Sequence, residues 1–120
     1  GKTSSTVWLG ERGRISDSAR FEGSVIIGDR CVVGKDVYIK DAVIGDKTIV
    51  DDGAVIDGSV LWSDVVVSKE AKIESSTIGN FCHIGKDAVI SKGSVIANRC
   101  AIKSGAVLPP KTKLEPNSTY

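Results

Sequence analysis

The sequence predicts an all-β domain that folds as one parallel β-helix of about six triangular coils. Bulky apolar residues recur every six residues from Leu9 to Leu108, except at the three five-residue steps 39→44, 56→61 and 73→78. A smaller residue stands two positions before each of them. This period fits neither an α-helix nor a β-hairpin, but it is typical of short strands joined by tight turns, three to a coil. The bulky positions are Leu9, Ile15, Phe21, Ile27, Val33, Ile39, Ile44, Val50, Ile56, Leu61, Val67, Ile73, Ile78, Ile84, Ile90, Ile96, Ile102 and Leu108.

Each repeat predicts one short strand and one turn. Alternate side chains of a strand face opposite sides, so the bulky residue and the smaller residue two positions before it both point into the coil. The polar residues two and three positions after the bulky one predict turns, because Gly, Asp and Asn there tolerate positive φ. The five-residue steps all fall at the same corner, so coils of seventeen and eighteen residues can stay in register.

The repeat divides the chain into three parts. Residues 9–114 are predicted to form the β-helix, and the polar residues 115–120 a frayed tail. Residues 1–8 are predicted to be a leader or a cleavage remnant that enters the first coil. Because the chain contains no Met, we expect an excised domain or a processed chain.

Composition excludes several classes of partner. Sixteen basic residues against fifteen acidic ones give no net field that would attract nucleic acid or a membrane surface. Cys31, Cys82 and Cys100 all occupy the smaller inward position at one corner, which predicts buried, free thiols. An odd number of cysteines favours a reducing, cytoplasmic location.

The amino-acid sequences of consecutive coils resemble those of the hexapeptide-repeat proteins, which fold as left-handed parallel β-helices. Residues 22–29 (EGSVIIGD), 42–46 (AVIGD) and 75–80 (SSTIGN) carry the general resemblance. Residues 58–64 (GSVLWSD) and 103–109 (KSGAVLP) are more discriminating. They resemble the C-terminal domain of sugar-1-phosphate nucleotidylyltransferases, especially the mannose-1-phosphate guanylyltransferase type. Domains of translation factors and of ADP-glucose pyrophosphorylases carry similar sequence motifs, so these families remain alternatives for the parent protein.

This resemblance implies a non-catalytic domain of an enzyme that converts a nucleoside triphosphate and a sugar-1-phosphate to a nucleotide sugar and pyrophosphate. The parent enzyme is expected to use Mg2+ and the nucleoside triphosphate in an N-terminal domain with a Gly-rich loop. No stretch of this sequence matches such a loop, so no catalytic residue, cofactor site or metal site is assigned to it.

His83 is the one residue that suggests catalysis. Hexapeptide acyltransferases resemble this chain and use a His base, which in the lipid A enzymes is the second His of a His-x-x-His-Asp run. Here residues 83–87 read HIGKD, so Lys86 stands where that base would be, and no corner carries an inserted loop. A single His also cannot supply the three-His zinc site of γ-class carbonic anhydrases. Acyl transfer near His83 and a scaffold without an attached enzyme remain the alternatives.

The three predicted faces differ in their outward residues. We name them the Trp62 face (bulky positions Leu9, Ile27, Ile44, Leu61, Ile78 and Ile96), the charged face (Phe21, Ile39, Ile56, Ile73, Ile90 and Leu108) and the His83 face (Ile15, Val33, Val50, Val67, Ile84 and Ile102). None of the twelve outward residues of the Trp62 face is charged, whereas six of twelve are charged on the charged face. Since Trp is favoured in interfaces, the Trp62 face is predicted to pack on another subunit or on the parent's catalytic domain. Its predicted contact residues are Trp8, Ile26, Val43, Val60, Trp62 and Val95.

Overall fold

The computed structural model describes residues 5–120, which form short parallel strands wound into about six coils of a left-handed β-helix. These residues contain no helix, and thus none long and apolar enough to cross a membrane. Residues 1–4 of the predicted leader lie outside the described part. The strands are β1 (Thr6–Leu9), β2 (Arg14–Ile15), β3 (Arg20–Ile27), β4 (Val32–Val33), β5 (Tyr38–Ile44), β6 (Ile49–Val50), β7 (Val55–Asp57), β8 (Val60–Leu61), β9 (Val66–Val67), β10 (Lys72–Glu74), β11 (Thr77–Ile78), β12 (His83–Ile84), β13 (Val89–Ile90), β14 (Val95–Ile96), β15 (Ala101–Ile102), β16 (Val107–Leu108) and β17 (Lys113–Leu114).

The strand register confirms the repeat. Bulky residues pair with bulky residues of the next coil, as Ile39 does with Phe21 on one side and Ile56 on the other. Between β3 and β5 an eighteen-residue coil meets a seventeen-residue coil, and the register shifts between Glu22 and Val25. A short step at one corner therefore changes the length of a coil without moving the three faces out of alignment.

The bulky side chains fill the centre of the coils. From Ile27 to Leu108 each of them exposes at most 3% of its surface. At the N-terminal end Leu9 is 53% exposed, while Ile15 and Phe21 are half-buried. Burying each side chain in the middle coils contributes about 1.5–3 kcal/mol, so the first coil receives less of this stabilisation than the others.

The smaller inward residues differ from corner to corner. One corner stacks Ala and Val, which are held by packing alone. A second stacks Ser59, Ser76 and Ser94, and here the backbone N–H of each later serine donates to the hydroxyl of the serine one coil before it, at 3.0 and 3.2 Å. These buried hydroxyls also donate to backbone carbonyls, as Ser59 does to Asp57 at 2.9 Å. Hydroxyl groups are therefore accommodated inside the coil without unpaired polar atoms.

The third corner holds the cysteines and uses a different hydrogen bond. The Sγ atoms of Cys31 and Cys82 lie 3.1 and 3.0 Å from the backbone oxygens of Gly45 and Ala97. Thr48, between them in the stack, donates its hydroxyl to the Trp62 carbonyl at 3.2 Å. The three cysteines are free and buried, as predicted.

Both ends of the helix extend past the predicted range 9–114. Strand β1 begins at Thr6 and pairs with β3 over four residues. In the predicted tail, Thr119 bridges to Ala101, and the Tyr120 carbonyl accepts a hydrogen bond from the Lys103 N–H at 2.8 Å. The polar composition of residues 115–120 does not prevent this, because the bonds are made by the backbone.

Candidate interaction surface

The Trp62 face is built by β1, β8, β11, β14 and the C-terminal ends of β3 and β5. Its register aligns one column of outward side chains along the helix axis, in the order Trp8, Ile26, Val43, Val60, Thr77 and Val95. Lys113 of β17 continues the column, so the uncharged surface ends there.

All six predicted contact residues have exposed side chains. Trp8 is 69% and Trp62 54% exposed, and the other four lie between 40% and 46%. On the His83 face, by comparison, the exposed large apolar residues are Val32 and Ile49, and on the charged face Val107. The structure therefore places the predicted residues on one surface.

Trp62 stands in a column that otherwise carries very small residues. Gly45 and Gly79 flank it one coil before and one coil after. A Cβ atom on Gly45 would lie 2.6 Å from the carbonyl carbon and oxygen of Trp62, and one on Gly79 would lie 2.7 Å from the Asn98 nitrogen. Because coil packing excludes larger residues at these glycines, the indole of Trp62 has no bulky neighbour in its own column.

A ladder of side-chain hydrogen bonds fixes the corner beside this column. Asp46 accepts from the Asp29 N–H at 2.8 Å, and Asn80 accepts from the Ser63 N–H at 2.9 Å. Asn98 continues the ladder by accepting from the Asn80 N–H at 2.8 Å. Short Asp and Asn side chains thus satisfy turn N–H groups of the coil before them, which holds the edge of the Trp62 face in place.

One exposed aromatic residue at this corner is not among the residues predicted from the sequence. Phe81 adopts a left-handed backbone conformation with φ 59° and is 52% exposed. The Arg99 guanidinium lies over its ring, 4.7 Å from the centroid. Equivalent left-handed positions of neighbouring coils carry Lys47 and Asp64. The interruption of this polar column by Phe81 was visible in the sequence, but its exposure was not.

His83 lies in β12 on another face and is exposed. Its Nε2 atom is 3.1 Å from the Ser68 hydroxyl oxygen. Two surface cavities, of about 320 and 380 Å³, are lined by other residues near the N-terminal end, with Arg12, Arg30 and Lys47 in the first and Arg20 in the second. His83 therefore has a hydroxyl partner but lines neither of these cavities.

The remaining titratable groups form no metal centre in the described part of the chain. Residues 5–120 bring no three His, Cys, Asp or Glu side chains together in a group that could hold a metal ion.

Burial raises the pKa of the Cys31 and Cys82 thiols above the ordinary value. Tyr38 donates a hydrogen bond to Glu22, which is the main cause of its raised pKa.

The uniform coils, the inward aliphatic stack and the absence of corner insertions in residues 5–120 define a hexapeptide-repeat left-handed β-helix domain. A family model described as the LbH domain of EIF2B subunit epsilon matches residues 4–108, and the chain belongs to this family. The match confirms the predicted nucleotidylyltransferase-like type of β-helix, and it selects the translation-factor branch among the resemblances. No curated protein showed significant sequence similarity to the chain.

Solved structures share the fold at low identity. A hexapeptide transferase family protein from Anaplasma phagocytophilum is 16% identical with a TM-score of 0.81, over 94% of this chain and 77% of that one. A mutant of perosamine N-acetyltransferase from Caulobacter crescentus is 24% identical with a TM-score of 0.80, over 84% of this chain and 50% of that one. UDP-N-acetylglucosamine acyltransferase from Francisella novicida is 16% identical with a TM-score of 0.62, over 94% and 58%. This chain thus spans about half the length of the last two proteins.

Proposed function

We propose that this chain is a non-catalytic assembly or regulatory domain of a nucleotidylyltransferase-type protein, and that the Trp62 face is its contact surface. The observation that carries the proposal is the column of exposed apolar side chains from Trp8 to Val95. The occupant of the face would be a second subunit or the catalytic domain of the parent protein.

The match to the EIF2B epsilon LbH domain supports a parent of this type. Transfer of a nucleotidyl group from a nucleoside triphosphate to a sugar-1-phosphate would take place in a separate domain, which would also bind Mg2+. The described residues do not fit a metal centre, since they bring no three ligand side chains together. The contribution of the β-helix would be a rigid surface, because every coil is hydrogen-bonded to its neighbours.

A charge on the Trp62 face tests this proposal. Val60→Lys combined with Trp62→Lys should dissociate the assembly, because burying two lysines without partners is costly. Light scattering measures the mass, and circular dichroism verifies the fold. Val107→Lys is the matched control, since Val107 is 62% exposed but lies on the charged face. An unchanged mass for the folded double variant would contradict the proposal.

Acyl transfer at His83 is the second candidate. The observation that favours it is the 3.1 Å contact between His83 Nε2 and the Ser68 hydroxyl, which orients an exposed imidazole. The structural neighbours include acetyltransferases, although their low identity supports the fold alone. Titration with acetyl-CoA, followed by calorimetry, separates the candidates. Binding that is lost in His83→Ala would favour acyl transfer over the assembly role.

A further inference from the structure

Three successive residues of one corner carry opposite charges on either side of an aromatic ring. Asp64, Phe81 and Arg99 occupy the left-handed position of three consecutive coils, with φ values of 58°, 59° and 61°. Backbone hydrogen bonds stack these turns, from the Phe81 N–H to Ser63 and from the Arg99 N–H to Asn80. The sequence of the column is therefore negative, aromatic, positive, at intervals of about 4.8 Å.

Phe81 is a poor choice for its position if stability of the single chain is the only requirement. A left-handed backbone is costly for bulky residues, and Asn, Asp and Gly adopt it more easily. Asn117 occupies the same position two coils later, which shows that this turn accepts asparagine. Arg30, Lys47 and Arg99 share this left-handed conformation, so Phe81 differs from them in being apolar. Its exposed ring is the observation that points to a contact outside the coil.

We propose that the Trp62 face and the Phe81 corner pair with a second copy of this chain in an antiparallel, two-fold symmetric dimer. A two-fold axis in the interface plane, perpendicular to the helix and level with Phe81, brings each column against itself in the reverse direction. Asp64 of one copy then meets Arg99 of the other, twice, and the two Phe81 rings meet at the axis. A parallel arrangement makes neither pair. The inference rests on the assembly role proposed above and specifies its occupant.

The same axis accommodates the tryptophan. Trp62 lies one coil before the level of the axis, so it faces Ala97 of the second copy, one coil after it. Gly79 faces its own counterpart across the axis. These two small residues leave space for the indole, and Val60 meets Val95 in the neighbouring column. In the coils next to the axis, large and small residues are thus complementary in the antiparallel direction. Two coils from the axis Val43 faces Lys113, and Trp8 and Ile26 lie outside the contact.

The size of the contact sets its expected strength. Five coils of about 4.8 Å and four residues of about 3.3 Å give a flat area of about 300 Å², to which the corner adds. Stable interfaces bury about 800 Å² per partner, so this dimer should be weak and form at micromolar or higher concentration. It should therefore be detected as a concentration-dependent mass.

Sedimentation equilibrium from 10 to 500 micromolar, roughly the range of weak interfaces, tests the charge pairs. Asp64→Arg and Arg99→Asp should each raise the dissociation constant about tenfold, because each substitution appears twice in the contact and places like charges together. The double variant Asp64→Arg/Arg99→Asp should restore it. Phe81→Asn should abolish the dimer while leaving the melting temperature of the monomer unchanged or higher.

Disulfide cross-linking tests the antiparallel geometry independently of the charge pairs. Oxidised Phe81→Cys should form a disulfide-linked dimer, because the two side chains meet at the axis, whereas the native cysteines are buried. Arg30→Cys is the matched control, since it has the same corner and backbone conformation but no counterpart across the axis. Failure of the double variant to restore association, or equal cross-linking of both variants, would overturn the antiparallel dimer.

The outcomes separate the two proposals. If Val60→Lys/Trp62→Lys dissociates the wild-type assembly but the charge reversal restores nothing, the contact face is correct and the antiparallel dimer is wrong. A wild-type chain that stays monomeric at every concentration would overturn the dimer and would leave the catalytic domain of the parent protein as the occupant of the contact face.

Discussion

Buried threonine should be tolerated at one corner of the coil and not in its centre. Val65 and Val67 are both fully buried, two positions apart, and Val→Thr hardly changes volume. Val65 belongs to the corner where Cys31, Thr48 and Cys82 donate to a carbonyl of the next coil. By the same fourteen-residue step, the acceptor for a hydroxyl at position 65 would be the carbonyl of Gly79. Val67 stacks between Val50 and Ile84, where only aliphatic side chains face it.

The difference between the two variants can be worked from these contacts. An unpaired hydroxyl in an apolar interior costs about 1–3 kcal/mol, which is the expected loss for Val67→Thr. A hydrogen bond to the Gly79 carbonyl returns about 1 kcal/mol, so Val65→Thr should lose about 1 kcal/mol less than Val67→Thr. Urea unfolding followed by circular dichroism measures both. Equal destabilisation of the two variants would refute the idea that this corner is defined by its carbonyl acceptors.

Three further predictions concern the coil itself. Gly45→Ala should destabilise the fold by about 3 kcal/mol or more because its Cβ would lie 2.6 Å from the Trp62 carbonyl. Gly105→Ala, with φ 75° and no neighbour within 4 Å, should cost only about 1 kcal/mol. Thermal denaturation compares the two variants, and equal losses of stability would contradict the packing argument. Ile84→Ala, fully buried, should cost about 2–5 kcal/mol, but Leu9→Ala, at a position 53% exposed, less than about 1 kcal/mol; urea midpoints should differ accordingly. Burial raises the pKa of the Cys82 thiol, so the folded state holds the thiol proton more tightly than the unfolded state. The free energy of unfolding should therefore fall as pH rises above the ordinary thiol pKa of 9.0. Cys82→Ala should show a shallower fall, and a pH profile identical to that of the wild type would refute this linkage.

The repeat predicted the fold because a six-residue period determines both the inward side chains and the register of the coils. Phe21, Ile39 and Ile56 align in the structure as their spacing of eighteen and seventeen residues requires. The periodicity also separated the outward residues, so the exposed members of the Trp62 face could be named in advance. The left-handed winding came from the family resemblance and not from the spacing.

Other features depend on geometry that the sequence does not display. The exposure of Phe81 follows from its place in a left-handed turn, and its contact with Arg99 joins residues eighteen positions apart. The hydrogen bonding of residues 115–120 was missed because it uses backbone groups, which composition does not report. The pairing of His83 with Ser68 likewise crosses from one coil to the coil before it.

The constant separation of paired residues has a kinetic consequence. Every pair of stacked strands joins residues seventeen or eighteen apart, so each coil closes a loop of nearly the same length. Within residues 5–120, strands contact only strands of adjacent coils. Folding should therefore nucleate in two central coils and propagate to the neighbouring coils one at a time. The first coil, whose Leu9 is largely exposed, should close last and open first. Amide hydrogen exchange should be fastest in β1 and slowest around Ile56 and Ile73.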